Sequence, residues 1–338
     1  MRKTAAIAFI AFALSSMSAA AQQQVNFVVG YSPGATYDIY TRTFARHLGK
    51  HLPGNPSVVV QNMTGAGSLR SANYIFNTAP KDGNTIGMFA RGLAMQPLLD
   101  MTGIQYEARK FNWIGSISSD VSLVLSWHDR PFRTIDDVRN NEMVVAGTGS
   151  GADSVIFPYV LNGILGTKFK VVTGYPGAAD FLLAAERGEA DGTAGVSWSG
   201  LNAARPEWIA GKKINVIVQL GLRRHPDMDP APLVIDFAKN DSDRGVLELI
   251  FARQDMAYPI VAPPGTPPER VAVLRTAFGA VLRDPDYLAD AKKQHLESAF
   301  MTGAEIETLI GRIFASPPAI IARAQQAIEA GRGMTIPK

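Results

Sequence analysis

Short apolar runs alternate along this chain with longer segments whose apolar residues recur every three or four positions. Residues 25–30 read as a strand, and a helix follows over about 38–51, with Tyr37, Phe44, Leu48 and Leu52 on one face. Pro53-Gly54-Asn55-Pro56 stops that helix. Residues 57–61 form the next predicted strand, 67–78 the next helix and 85–89 another strand. The alternation resumes with strands at 143–146, 169–173, 191–196 and 214–220 and helices at 154–165 and 179–187. Strands separated by single helices predict an α/β fold of parallel-rich sheets flanked by helices. From Pro267 onward the pattern is almost wholly helical, interrupted at Pro285 and at Pro317-Pro318.

Two segments break the alternation. Residues 121–127 are a continuous apolar run with no helix before them, and 258–268 are extended and proline-rich. Chain crossings at these points divide the protein into a discontinuous first domain, 25–120 plus 257–338, and a second, 121–256. A two-stranded connection of this kind is a hinge, and the cleft between two such lobes is the expected ligand site.

The first residues stand outside this pattern. Met1-Arg2-Lys3 is a basic start, and residues 4–14 are an apolar run too short to span a bilayer. Ala19-Ala20-Ala21 then marks residues 1–21 as a cleavable signal peptide, with cleavage after Ala21. Losing Arg2 and Lys3 takes the formal charge from +3 to +1. A chain of 338 residues with no cysteine has no disulfide, no thiolate metal site and no thiol for a lipid anchor. The expectation is an exported protein, free in a periplasm and not membrane-embedded. Its small and evenly spread charge gives no footprint for nucleic acid.

Candidate chemistry sits where the predicted strands hand over to helices, the usual ligand position in such sheets. Four of these loops are rich in glycine. The first runs Gly30-Tyr31-Ser32-Pro33-Gly34-Ala35-Thr36-Tyr37-Asp38, and the second contains Asn62, Gly65 and Ala66. The third is Gly147-Thr148-Gly149-Ser150-Gly151-Ala152-Asp153-Ser154, and the fourth includes Tyr175, Pro176 and Gly177. Small residues let an anion approach backbone N–H groups at a helix start, where these groups lack partners and the helix dipole is positive. Two such loops in each proposed lobe predict a shared cleft for a carboxylate or phosphate. Tyr31, Tyr37, Phe157, Tyr175 and Trp198 are candidates to hold the rest of the ligand. Arg91, just past a strand, is a candidate clamp for a second carboxylate, or otherwise a solvated loop arginine. Asp38 reads as the organiser of its loop and as a helix cap, and Asp153 or Ser154 as the cap of a later helix.

Competing motifs are weaker. Gly147-x-Gly149-x-x-Ala152 lacks the acidic residue that a dinucleotide site places some twenty positions on. Gly195-Val196-Ser197-Trp198-Ser199 lacks the final glycine of a nucleophile elbow. His47 and His51 flank Leu48, not the glutamate of a metalloprotease helix, and His128, His225 and His295 form no cluster. No metal or cofactor is therefore expected. An exported hydrolase or isomerase using the same cleft remains the alternative, because triads assemble in space.

Several segments occur in the order found in a known family: Pro33-Gly34-x-x-x-Asp38, Val60-Gln61-Asn62-Met63-Thr64-Gly65-Ala66-Gly67, Ala79-Pro80-x-Asp82-Gly83-Asn84-Thr85-Ile86 and Val261-Ala262-Pro263-Pro264-Gly265-Thr266-Pro267-Pro268. Together they resemble the Bug family, the extracytoplasmic solute-binding proteins of tripartite tricarboxylate transporters. The resemblance implies a two-lobed Venus-flytrap fold of the type II periplasmic binding class. It implies capture of an organic carboxylate, delivery to a two-component membrane permease, and a monomeric receptor. It also implies that residues 32–38 and 148–154 hold the carboxylate. Two departures stand out: Ala35, Thr36 and Tyr37 where the family usually carries a second glycine, and Gly195-Val196-Ser197-Trp198 where many relatives end a strand in Asp or Asn.

Overall fold

The computed structural model describes residues 24–99, 102–228, 230–333 and 335–337. The expected signal peptide and its cleavage after Ala21 lie outside the described residues. The strands are β1 (Gln24–Val29), β2 (Ser57–Asn62), β3 (Thr85–Met88), β4 (Asn112–Ser116), β5 (Ser122–Trp127), β6 (Met143–Ala146), β7 (Phe169–Thr173), β8 (Gly192–Ser197), β9 (Ile214–Leu220), β10 (Pro259–Ala262), β11 (Met301–Thr302) and β12 (Thr335–Pro337). They build two sheets, ordered β11-β4-β10-β3-β1-β2 and β12-β7-β6-β8-β5-β9.

Each sheet is mixed. β1 runs parallel to β2 and β3, whereas β10 is antiparallel to β3 and β4. In the second sheet β6 is parallel to β7 and β8, whereas β5 is antiparallel to β8 and β9. The antiparallel strands β5 and β10 each come first after a passage between the sheets, whereas β12, after a later passage, runs parallel to β7. β5 follows β4 with no helix between them, so no crossover constrains it to run parallel, whereas β10 follows the Asp241–Phe251 helix. The two passages are tied together, since the Tyr258 hydroxyl donates to Asp120 Oδ2 at 2.9 Å.

The first helix spans Thr36–Leu48, two residues earlier than the pattern suggests, and its last turn tightens into a 3₁₀ turn at Gly49–His51. Tyr40, Phe44 and Leu48 cover the first sheet, where Phe44 meets Phe27 edge-on at 6.4 Å. His47 and His51 lie on its rim and reach Asp290 and Asp284. In the second lobe Leu123, Ala146, Phe181 and Trp208 share one core. A third apolar cluster joins Val28 and Phe89 of the first lobe to Val155 and Phe157 of the second, so the lobes are shut against each other.

Residues 318–333 and 335–337, expected with the first lobe, pack with the second sheet. The Pro318–Arg332 helix lies so close to the Asp153–Leu165 helix that a Cβ on Gly163 would stand 2.3 Å from the Ala327 carbonyl oxygen. A Cβ on Gly331 would likewise stand 2.2 Å from the Tyr159 oxygen. β12 then extends the sheet beside β7, in parallel. The helical period of this segment says that it packs, but small residues at the seam carry no signal of which lobe they pack on.

Candidate functional site

The loop after β1 is organised by Asp38. Its buried carboxylate accepts from the Gly34 N–H at 2.8 Å, from Asn62 Nδ2 at 2.8 Å and from Arg42 Nε at 2.9 Å. Gly34 has φ +78°, which a side chain would resist. With Asp38 and Asn62 committed to the loop, the same turn presents Tyr31, Ala35, Thr36 and Tyr37 to a central cavity with about 50 Å³ of space for water. The helix cap expected of Asp38 is absent, because the N-cap is Ala35 and bonds through no side chain.

The facing wall comes from the second lobe. Thr148, Ala152, Asp153 and Ser154 reach the cavity from the loop after β6, and Phe181, Val196 and Ser197 follow from later elements. Ser154 Oγ accepts from the Thr148 N–H at 3.1 Å, and so closes its own loop; the N-cap of this helix is Ala152. Gly149 and Gly151 do not touch the cavity. They seat against Ala66 and Gly67 of the other lobe, where the Gly151 N–H donates to the Ala66 oxygen at 3.2 Å. The Ser150 carbonyl accepts from Gln96 Nε2 at 3.1 Å, and Ser32 Oγ donates to Asp180 Oδ2 at 3.3 Å. Gly177 leaves room for Ser32 and Ala35. These glycines therefore let the lobes close. Gly65, Ala66, Tyr175 and Pro176 line an adjoining cavity of about 210 Å³, which shares Tyr31 and Thr148 with the central one.

Arg91 is neither solvated nor a free clamp. It lines the central cavity, is 3% exposed, and donates through Nε to Asp153 Oδ2 at 2.7 Å and through Nη2 to Ser122 Oγ at 2.7 Å. Arg253, 0% exposed, donates to the other oxygen of Asp153 at 3.1 Å. Two cations thus share one carboxylate, and Nη1 of Arg91 and Nη2 of Arg253 have no partner. Burial alone would lower the Arg91 guanidinium, but the charges around it, Asp153 foremost, hold it above its ordinary value. For Arg253 burial prevails and Asp153 only partly offsets it.

A row of rings crosses the site: Tyr31 to Tyr37 at 4.8 Å, Tyr37 to Tyr258 at 5.2 Å, and Tyr258 stacked on Tyr40 at 3.6 Å. Burial pushes the Tyr37 hydroxyl up to about 12, so these rings stay neutral. Tyr258, Phe181, Ser197 and Arg253 join the site without having been singled out in the sequence. No motif surrounds Tyr258 or Arg253; only the crossing itself could have pointed to the first. Trp198 lies elsewhere: it opens the Trp198–Ala204 helix and is buried in the second-lobe core beside His225, with ring centroids 5.9 Å apart. Phe157 is core, tilted against Phe251.

The family described as tripartite tricarboxylate transporter family receptor matches residues 41–325. A Cupriavidus necator protein described as "UPF0065 protein in gbd 5'region" is 24% identical over 330 residues, covering 94% of each chain. Among solved structures, the periplasmic binding protein BugD is similar with TM-score 0.66 and 22% identity, over 91% of this chain and 95% of that one. MatC from Rhodopseudomonas palustris with bound malate gives TM-score 0.69 and 18% identity, over 90% and 98%. An R. palustris protein with adipate gives 0.70 and 19%, over 91% and 97%. Among the described residues no helix is long and apolar enough to cross a membrane.

Proposed function

The chain belongs to the tripartite tricarboxylate transporter receptor family, and on that premise we propose that it captures an organic carboxylate between its lobes and hands it to a two-component membrane permease. One observation carries this reading. Thr36, Asp153 and Ala178 are the first residues of three helices of 13, 13 and 9 residues, and all three line the same cavity. Helix starts from both lobes thus bring positive dipole ends and unpaired N–H groups to one point. The lobes that move are 25–120 with 257–316, and 121–256 with 318–337.

A ligand enters only when the lobes part, and it favours closure because only the shut state lets both walls touch it. The ligand-binding set is then Tyr31, Thr36, Tyr37, Arg91, Thr148, Asp153 and Ser154, with Ala66, Gly149 and Gly151 acting through closure. Receptors found with malate and with adipate among the structural neighbours support an organic acid as the ligand. The protein works as a monomer in the periplasm after removal of residues 1–21, without cofactor or metal.

The test is a thermal-shift and calorimetric panel of mono-, di- and tricarboxylates on the mature protein. At least one acid is expected to raise the melting temperature, bind saturably and be recovered unchanged. If no acid bound, the receptor reading would fail; if the acid were consumed, an enzyme would replace it.

A further inference from the structure

The walls of the cavity carry unequal chemistry, and the inequality bears on which acid fits. Arg91 is the cation of the wall, and Asp153 and Ser122 already occupy two of its three nitrogens, leaving buried Nη1 without a partner. A buried N–H left without a partner is costly, and a ligand oxygen relieves that cost. The Tyr37 hydroxyl accepts from the Arg91 backbone N–H at 3.2 Å, which leaves its own proton to donate. Nothing comparable awaits a second carboxylate. Asp153 lies in the same wall and repels it, and Arg253 does not line the cavity. The rest of the wall carries no charge: the rings of Tyr31, Tyr37, Phe181 and Tyr258 stand among small apolar groups and the neutral hydroxyls of Thr36, Thr148, Ser154 and Ser197. Tyr31 and Tyr37, 4.8 Å apart, and Tyr37 and Tyr258, 5.2 Å apart, already sit at the spacing of favourable ring pairs.

We propose that the cleft selects a planar aromatic monocarboxylate, its one carboxylate meeting Arg91 Nη1 and the Tyr37 hydroxyl and its ring lying among Tyr31, Phe181 and Tyr258. This rests on the carboxylate-receptor reading and names the acid class. A tricarboxylate would bring two unpaired charges into a wall that offers them no cation, and burying such charges is costly. A flexible aliphatic diacid would also lose more freedom on binding than a rigid ring.

Calorimetry on the mature protein with benzoate, isophthalate, adipate, malate, citrate and benzamide tests this. Benzoate is expected to bind saturably and at least about 10-fold tighter than each of the others. Isophthalate adds a second carboxylate to the same ring, and benzamide removes the charge. Tighter binding of adipate, malate or citrate would overturn the aromatic class while leaving the receptor reading intact. Silence from every acid would overturn both. Equal affinity for benzamide and benzoate would remove the role of Arg91. Arg91→Lys keeps a cation for Asp153 but loses the fork, and is expected to weaken benzoate about 10-fold in a protein with unchanged circular dichroism. Should that variant fail to fold, Tyr37→Phe keeps the ring, loses the donor and is expected to weaken benzoate several-fold. Unaltered benzoate affinity in either folded variant refutes the assignment.

Discussion

Asp153→Ala removes the one carboxylate shared by Arg91 and Arg253, and leaves two guanidiniums that are 3% and 0% exposed without a counter-charge. Breaking a buried pair from one side costs about 3–5 kcal/mol, because the remaining charge stays desolvated. Here two charges are stranded, and Arg253 keeps only the Ile250 carbonyl at 2.9 Å and the face of Phe157 at 5.4 Å. The upper part of that range, about 5 kcal/mol, is therefore expected. At roughly 2–4 °C per kcal/mol for a protein of this size, the melting temperature falls by on the order of 10–20 °C. Differential scanning calorimetry of wild type and variant without ligand at pH 7 reads it directly. The triple change Asp153→Ala, Arg91→Met, Arg253→Met supplies the control. With no charge left to strand, it is expected to recover part of the loss. A drop below about 1 kcal/mol in the single variant, or a triple variant no more stable than the single, would refute the claim that the ion triad is dry and closes the lobes.

Two further outcomes follow from the packing. Tyr37 and Tyr287 are pushed up by burial to about 12 against about 10 in an unfolded chain. The folded state therefore holds protons that the unfolded state has lost, so stability is intact below pH 10 and declines from pH 10 to 12. Absorbance at 295 nm should show these rings ionising together with unfolding, and titration of every tyrosine near pH 10 in folded protein would contradict their burial. Gly163→Val forces a Cβ onto the Ala327 backbone; a loss of about 3 kcal/mol or more in urea unfolding is expected, and a neutral result would mean that the last helix does not pack where it is placed.

The first-lobe loop was legible from its residues. Asp38 organises it, as a short acid near a Pro-Gly turn suggests; Tyr31 reaches the cavity from the loop, and Tyr37, read as part of the helix face, reaches it from the first turn of the helix. Arg91 was visible as a lone cation after a strand, but its fate depended on Asp153, which is 62 residues away. Sequence distance hides such a pair, and each partner taken alone reads as a solvated group or a cap. Gly149 and Gly151 looked like an approach path for an anion; their neighbours proved to be Ala66 and Gly67, so the same absence of a side chain serves closure.

The sequence by itself determined the alternation of strands and helices and the glycine-rich helix starts, since period, turn chemistry and end groups are local properties of the chain. Only the tertiary structure decided that the last helix lies on the second sheet, that β5 and β10 run antiparallel to their neighbours, and that one carboxylate answers two arginines. Those depend on surfaces that are far apart in sequence and meet only when the lobes shut. There water is excluded, and charges that would be indifferent in solution become decisive.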